Sequence, residues 1–389
     1  MIRTLSMVVC ACGLSMSAAG QNALFQDWEH AVEADVIFVA SPGRSDAGAL
    51  ESEPVLGELA AAFKLERVLD NGAEIGTRLG IKAQADHPAR AGFSGRVGPG
   101  LSEDGLSLRG AFTGLTAGGE LEDDQFRISL ETAFVYIDGG YGELVAGRDV
   151  GIARRFHVGA PTVFRRHRAI NPALDTSGIA TVLTRNDLTG PSAKVSYATP
   201  RLLGLRLGAS YTPRANVSGI DRDPDRLVAG IDEPELEDAL EAGFSFSRRF
   251  RASGVRVQSH GSYGRASVDS QVTGLDRGTV EVWSTGGSLA WKQIEVGADW
   301  LTTDNAGGRY RAWSTGVRIE RFGFVGSALF GRSFDALTGF DGQTWQIGIA
   351  KPLFDRFTVS LGLEEQVLKT SNESNSSSLG PVIEITLRL

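Results

Sequence analysis

Arginine gives this chain its most distinctive chemistry. Arg154, Arg155, Arg165, Arg166 and Arg168 fall close together, His157 and His167 lie among them, and Arg185 follows. A guanidinium stays charged at any relevant pH, and its planar fork suits carboxylate and phosphate. Such a cluster either attracts small anions or pins its own segment through ion pairs. Acids placed for the second role are Asp149, Asp175 and Asp187 in the same stretch, and Glu74 and Glu131 elsewhere. Catalysis has no comparable footing. The chain shows no GxSxG, no HExxH, no P-loop and no dinucleotide fingerprint leading into a helix. Its 5 histidines have no metal-ligand spacing. Asp221-Arg222-Asp223-Pro224-Asp225 has only the opening of a calcium loop, without the later glycine and glutamate. A solvated outside loop is expected there. The reading is a non-enzyme with no cofactor and no metal.

Composition sets the compartment. Arg3, the apolar stretch Leu5 to Leu14 and Ser17-Ala18-Ala19-Gly20 read as a secretory signal over 1–20, cleaved after Ala19 or Gly20. Val9-Cys10-Ala11-Cys12 also loosely matches a lipoprotein cleavage site. The only 2 cysteines, Cys10 and Cys12, lie inside this segment. The exported chain, 21–389 as one domain, then has no disulfide and no thiolate site. A net charge of −8 argues against nucleic acid as partner. No internal stretch is long and apolar enough for a spanning helix.

The elements that must position the arginines are strands. Val382 to Leu389 puts Ile383, Ile385, Leu387 and Leu389 on one face, which suits a closing strand. Asp70-Asn71-Gly72 is a hairpin turn between Glu58–Leu69 and Ala73–Asp86. In its second arm Glu74, Gly76, Arg78, Gly80, Lys82 and Gln84 share one face, and Ile75, Thr77, Leu79 and Ile81 the other. Phe126 to Ile137 alternates with Phe126, Ile128, Leu130, Thr132, Phe134 and Tyr136 on one side. By the same parity Arg78, Lys82, Arg127 and Arg148 are the wall cations of a polar lumen. Further turns fall near Pro200, Arg249, Trp291, Glu320 and Pro352, with longer connections between the hairpins. The pattern predicts an all-β, antiparallel transmembrane barrel of about 16 strands, with short periplasmic turns and long outside loops. Trp291, Phe322, Phe324, Phe354 and Phe357 beside short turns, with Tyr197 and Tyr211 near strand ends, suit an interfacial girdle. Residues 87–123 are ambiguous, since Leu106 to Leu115 reads as a further strand or a hairpin within a loop.

Three stretches carry a family resemblance. Ser196 to Tyr211 resembles the turn after the constriction loop of Gram-negative general diffusion porins. Gly140 to Asp149 looks like the strand leading into that loop. Leu69 to Leu79 resembles the early hairpin of alphaproteobacterial porins. The chain departs from the pattern at its end, where Leu389 stands in place of phenylalanine. The resemblance implies a water-filled homotrimeric channel for passive diffusion of ions and small hydrophilic solutes. It implies contact with outer-membrane lipid and lipopolysaccharide. It also makes 149–189 a loop folded into the lumen. Arg154, Arg155, Arg165, Arg166, Arg168, Asp149, Asp175 and Asp187 would then form the constriction, facing Arg78, Lys82, Arg127, Arg148, Glu74 and Glu131 on the wall. Three alternatives stay open: a selective channel for phosphate or organic acids, a plugged barrel serving as anchor or adhesin, and a soluble secreted β-protein whose apolar strand faces bury against one another.

Overall fold

The computed structural model describes residues 28–41, 44–45, 55–87, 107–116, 126–216, 219–221, 231–270, 275–370 and 375–389. The signal segment with Cys10 and Cys12 lies outside them, as do Asp223 and Asp225. The described residues build a closed antiparallel barrel of sixteen long strands. In chain order they are β1 (Glu29–Ala40), β2 (Val55–Val68), β3 (Glu74–Ala85), β4 (Phe126–Gly139), β5 (Gly142–Asp149) and β6 (Ser192–Ala198). Then come β7 (Leu205–Asn216), β8 (Pro234–Phe250), β9 (Val255–Ser270), β10 (Thr279–Trp291) and β11 (Ile294–Thr303). The set ends with β12 (Tyr310–Arg321), β13 (Phe324–Asp335), β14 (Phe340–Phe354), β15 (Phe357–Lys369) and β16 (Asn375–Arg388). The last strand closes the barrel by pairing with the first, from Asp35 opposite Arg388 to Ala40 opposite Ile383.

The turns explain the hairpins. Gly72 takes φ of 79°, and the Asn71 side chain accepts from the Ala73 amide at 3.0 Å. Such positive φ matches the twist of paired strands in tight hairpins. Trp291, Phe322, Phe324 and Phe354 are exposed around this short-turn end. Connections at the other end include the segment 150–191 between β5 and β6.

Alternation places apolar side chains outside. On β3, Leu79 and Ile81 are exposed while Lys82 and Gln84 are buried. On β4 the sequence expectation fails. A β-bulge at Glu131 breaks the register between Gly80 and Ile81. An extra residue moves the following side chains to the opposite face. Phe126, Ile128 and Leu130 point out, but Val135 and Ile137 point out beyond the bulge. Tyr136 turns inward, donating to Glu66 and Glu74 at 2.9 and 2.6 Å.

Residues 107–116 settle the ambiguity over 87–123 as far as they are described. Among the described residues Ser107–Leu108 pairs with Ile231–Asp232 in a two-stranded sheet separate from the barrel sheet. Phe112 and Leu115 then bury in the mouth, against an apolar patch of inner wall that includes Val280, Val282, Leu301, Tyr310 and Phe340. The lumen is therefore not polar throughout. At the long-loop end it has a hydrophobic core, completed by Ile170, Ile179, Val182 and Leu188 of the inward segment.

Candidate functional site

The segment after β5 folds into the barrel and runs along its inner wall. It begins with a single helical turn, α1 (Ile152–Phe156), whose Ile152, Ala153 and Phe156 are buried toward the wall. Arg154 and Arg155 occupy its other side. Where the chain crosses strands, glycines make room. A Cβ on Gly297 would meet Pro161 at 2.9 Å, and one on Gly348 would meet Phe164 at 2.4 Å. Both separations are too short for a real side chain, so the loop can lie flat only on glycine.

Ion pairs fix the loop's course. Arg154 donates to Asp187 at 2.6 Å, and Arg155 to Glu143 at 2.6 Å. Arg165 grips Asp35 through two bonds of 3.1 and 2.8 Å, and Arg166 lies 2.7 Å from Glu58. Glu384 on β16 accepts the backbone N–H groups of Arg165, Arg166 and His167 at 2.6, 2.8 and 2.9 Å. Charged acceptors make such bonds stronger than neutral ones. Arg168 donates to the Phe164 carbonyl at 3.3 Å and has no carboxylate in ion-pair range among the described residues.

Two loop histidines sit in opposite electrostatic settings. Burial and the neighbouring His260 hold His157 well below its ordinary pKa, so it is neutral at physiological pH. Burial opposes the charge of His167 as well, but Glu364, 3.3 Å from its Nε2, outweighs it and pushes the pKa up to about 9. The sign follows from linkage. A folded pKa of about 9 against 6.5 in the free side chain gives stability that is complete below 6.5 and lost as pH rises through about 9. Single-channel current noise from the loop should therefore grow between about pH 7 and about pH 10, and should be independent of pH in His167→Gln. Equal pH dependence in both proteins would remove His167 from the anchor.

A second inward element was not legible in the sequence. Asp221, expected in a solvated loop, is buried and accepts from Lys82 and Gln84 at 2.8 and 3.1 Å. The adjacent Ile220 carbonyl accepts from Arg127 at 2.7 Å. Burial would raise the Asp221 pKa, but Lys82 beside it outweighs this and holds the carboxyl well below the usual range. Lys82 also lies 3.9 Å from Glu58 and 4.0 Å from Glu131. Removing one partner of a buried charge set costs about 3–5 kcal/mol. Lys82→Ala should accordingly lower the thermal midpoint of the detergent-refolded barrel, read by circular dichroism, while exposed Arg256→Ala should not.

Between these elements and the wall lies a cavity of about 250 Å3, which we call the eyelet, lined by Glu33, Asp35, Arg78, Lys82, Glu131, Arg154 and Arg166, with Ala60, Ala62 and Gly80 giving it width. The loop contributes only positive charge to it, and the wall contributes both signs. Arg78 is paired with Glu33 at 2.8 Å.

Five of the sequence candidates thus meet here: Arg78, Lys82, Glu131, Arg154 and Arg166. The others are placed elsewhere. Arg155 is held by Glu143, and Arg165 faces Asp35 at the rim. Arg168 lines a separate cavity of about 280 Å3 with His157, Gln258, Glu295 and Arg318. Asp187 is buried behind Arg154, and Asp149 is buried at the end of β5. Asp175 shapes the loop internally, accepting the Ser177 and Ala180 amides at 3.0 and 2.9 Å. Arg127 lies behind the eyelet, and Glu74 near the short turns beside Lys64 and Tyr136. Arg148 is a correction to the parity argument. It shares the outward face of β5 with exposed Leu144, while Val145 and Asp149 point in, and its guanidinium reaches the Leu130 carbonyl on β4. Glu33, Asp35, Glu58 and Asp221 were missed. Glu33 and Asp35 alternate with Ala34 and Val36, a signal that could have found them.

A closed sixteen-stranded barrel with an apolar exterior, narrowed by an inward loop, is an outer-membrane channel. The chain belongs to the Gram-negative porin family, whose sequence profile matches residues 43–380. No curated protein sequence matches it. Among solved structures it resembles Salmonella typhi OmpF in complex with daunomycin, at 12% identity and a TM-score of 0.56 over 93% of this chain and 97% of that one. It also resembles Pseudomonas putida OprB, at 9% identity and 0.59 over 94% and 95%. An anion-selective porin from Comamonas acidovorans matches at 11% identity and 0.54 over 93% and 100%. At these identities the likeness is one of fold. The protein is an outer-membrane diffusion channel, not an enzyme.

Proposed function

We propose that ions and small hydrophilic solutes cross through the eyelet bounded by Arg154 and Arg166 on the loop and by Glu33, Asp35, Arg78, Lys82 and Glu131 on the wall. The observation that carries this reading is that both loop guanidiniums already hold a carboxylate, Asp187 and Glu58. An anion site for phosphate or organic acids needs guanidiniums without such partners. Paired charges instead give a transverse field that orients passing solutes and holds none of them. This favours general diffusion over a substrate-selective anion channel. Current through single channels should rise in proportion to phosphate concentration. Saturation of the current by phosphate or a small dicarboxylate would favour the selective channel.

The exported chain is proposed to begin after Ala19 or Gly20, which N-terminal sequencing of the membrane-inserted protein would show. We place it with the alphaproteobacterial porins on the strength of the Leu69 to Leu79 hairpin. We infer a homotrimer, with contact through the outer face of β1–β5. That face is mainly aliphatic, with Val32, Leu79, Ile81, Ile128, Leu130 and Val135 exposed beside Phe63 and Phe126. Arg148 stands on it, and a guanidinium facing lipid at that depth is costly. A neighbouring copy would shield it. Arg148→Glu should convert trimers to monomers on semi-native gels. An unchanged trimer would move the interface elsewhere.

A further inference from the structure

Across the lumen from the eyelet, the cavity of about 280 Å3 lies between the inward loop and the wall of β9–β13. Its wall residues include Gln258, Ser288, Glu295 and Arg318. Glu295 is one residue past the start of β11, and Ser288 and Arg318 are three residues before the ends of β10 and β12. The cavity therefore sits on the short-turn side of the loop, where a solute arrives after it has passed the eyelet.

Its charges are not neutralised as those of the eyelet are. Arg154, Arg155, Arg165 and Arg166 each hold a carboxylate. Arg168 is exposed, and among the described residues its hydrogen bond goes to the Phe164 carbonyl at 3.3 Å. It is the loop guanidinium still able to take an anion. On the wall, one oxygen of Glu295 accepts from Ser288 at 3.0 Å, while Arg318 stops 3.7 Å from the other. That separation is beyond hydrogen-bond length.

A free guanidinium and a half-satisfied carboxylate on one small cavity suit a ligand that carries both charges. Its carboxylate would take the fork of Arg168 in charge-assisted bonds, and its ammonium the open oxygen of Glu295. Asp299 lies on the same wall. With Glu295 it turns away a second negative charge, which disfavours phosphate and dicarboxylates. No tryptophan, tyrosine or phenylalanine lines the cavity, so a sugar ring has nothing to stack on. The space holds roughly nine waters, at about 30 Å3 each, which is room for a small amino acid.

We propose that this cavity is a subsite for small zwitterionic solutes of the amino acid class, with the carboxylate on Arg168 and the ammonium on Glu295. The proposal goes beyond the diffusion reading and rests on it, since the solute reaches the cavity through the open lumen.

The test is saturation-transfer NMR of the full exported chain, refolded in detergent and titrated with alanine, lactate or glycerol. These probes have equal numbers of non-hydrogen atoms and differ in charge. Alanine should give a saturable signal, lactate a weaker one and glycerol none. Arg168→Gln and Glu295→Gln should each weaken alanine binding roughly tenfold, the loss of one hydrogen bond to a charged group. Glycerol binding as well as alanine, or alanine binding unchanged in both variants, would overturn the site. Lactate matching alanine, with Glu295→Gln without effect, would overturn the zwitterion in favour of a plain carboxylate. Planar-bilayer steps from the same preparations report folding and the pore separately. A protein that conducts without binding alanine would count against the subsite alone, and one that binds alanine but never conducts would count against the channel reading.

Discussion

Phe164→Ala is expected to free the apex of the inward loop while leaving the barrel intact. The Phe164 ring is 1% exposed and packs with Ile37, Val39, Leu56, Leu174 and Val382. It covers Gly348 and Gly362, where an added Cβ would approach it within 2.4 and 2.7 Å. Truncating a buried phenylalanine costs about 3–5 kcal/mol, and the cost here falls on the loop, because the strand ladders do not depend on that ring. The Glu384 carboxylate would still hold three backbone N–H groups, but the apolar seat would be gone. Trypsin reports the change. Arg165, Arg166 and Arg168 are protected while the loop lies on the wall, and they become cleavable once it lifts. The intact protein should resist, Phe164→Ala should be cut within this run, and Gly348→Val should behave likewise by crowding the same seat. If Phe164→Ala resists as well as the intact protein, ion pairs alone anchor the loop.

The second large effect is on ion selectivity. Arg154→Ala combined with Arg166→Ala removes the whole loop-side charge of the eyelet and leaves Asp187 and Glu58 without those partners. Glu33, Asp35 and Glu131 remain on the wall, while Arg78 and Lys82 stay engaged with Glu33 and Asp221. An ion about 10 Å from a unit charge feels roughly 1.5 kcal/mol at an effective dielectric near 20, before salt screening. Two lost charges should thus shift the cation-to-anion permeability ratio by roughly tenfold toward cations. Conductance should rise too, because two long side chains leave the opening. A reversal potential that does not move would show that permeating ions do not pass these arginines.

Much of the barrel was legible in the sequence because a two-sided strand writes its faces into every second residue. The β2–β3 hairpin and the two-residue turns after Trp291 and Arg321 follow from that rule and from turn chemistry. What alternation does not say is which face is which. Val280 and Val282 look like membrane residues but point inward to a core under the loop, while Trp283 points out. Nor does it survive a bulge, and Glu131 reverses the faces of β4. The site was half legible. The resemblance implied the inward loop, the arginines marked its charge, and parity located Arg78 and Lys82. The identity of each ion-pair partner depends on contacts between distant segments, such as Arg166 with Glu58, which no local pattern encodes. Asp221 was hidden among outward acids, and the glycines that seat the loop look like ordinary strand glycines until the loop lies over them.

The most direct test of the account is the reversal potential of the refolded, exported chain in a planar bilayer under a gradient of potassium chloride. Stable open steps are expected, with a potential closer to zero than to the Nernst value of either ion, because the eyelet charges are paired. A correctly folded barrel that gives no steps would contradict the channel and favour a plugged anchor. A potential near the chloride limit would contradict the paired eyelet and favour a dedicated anion channel.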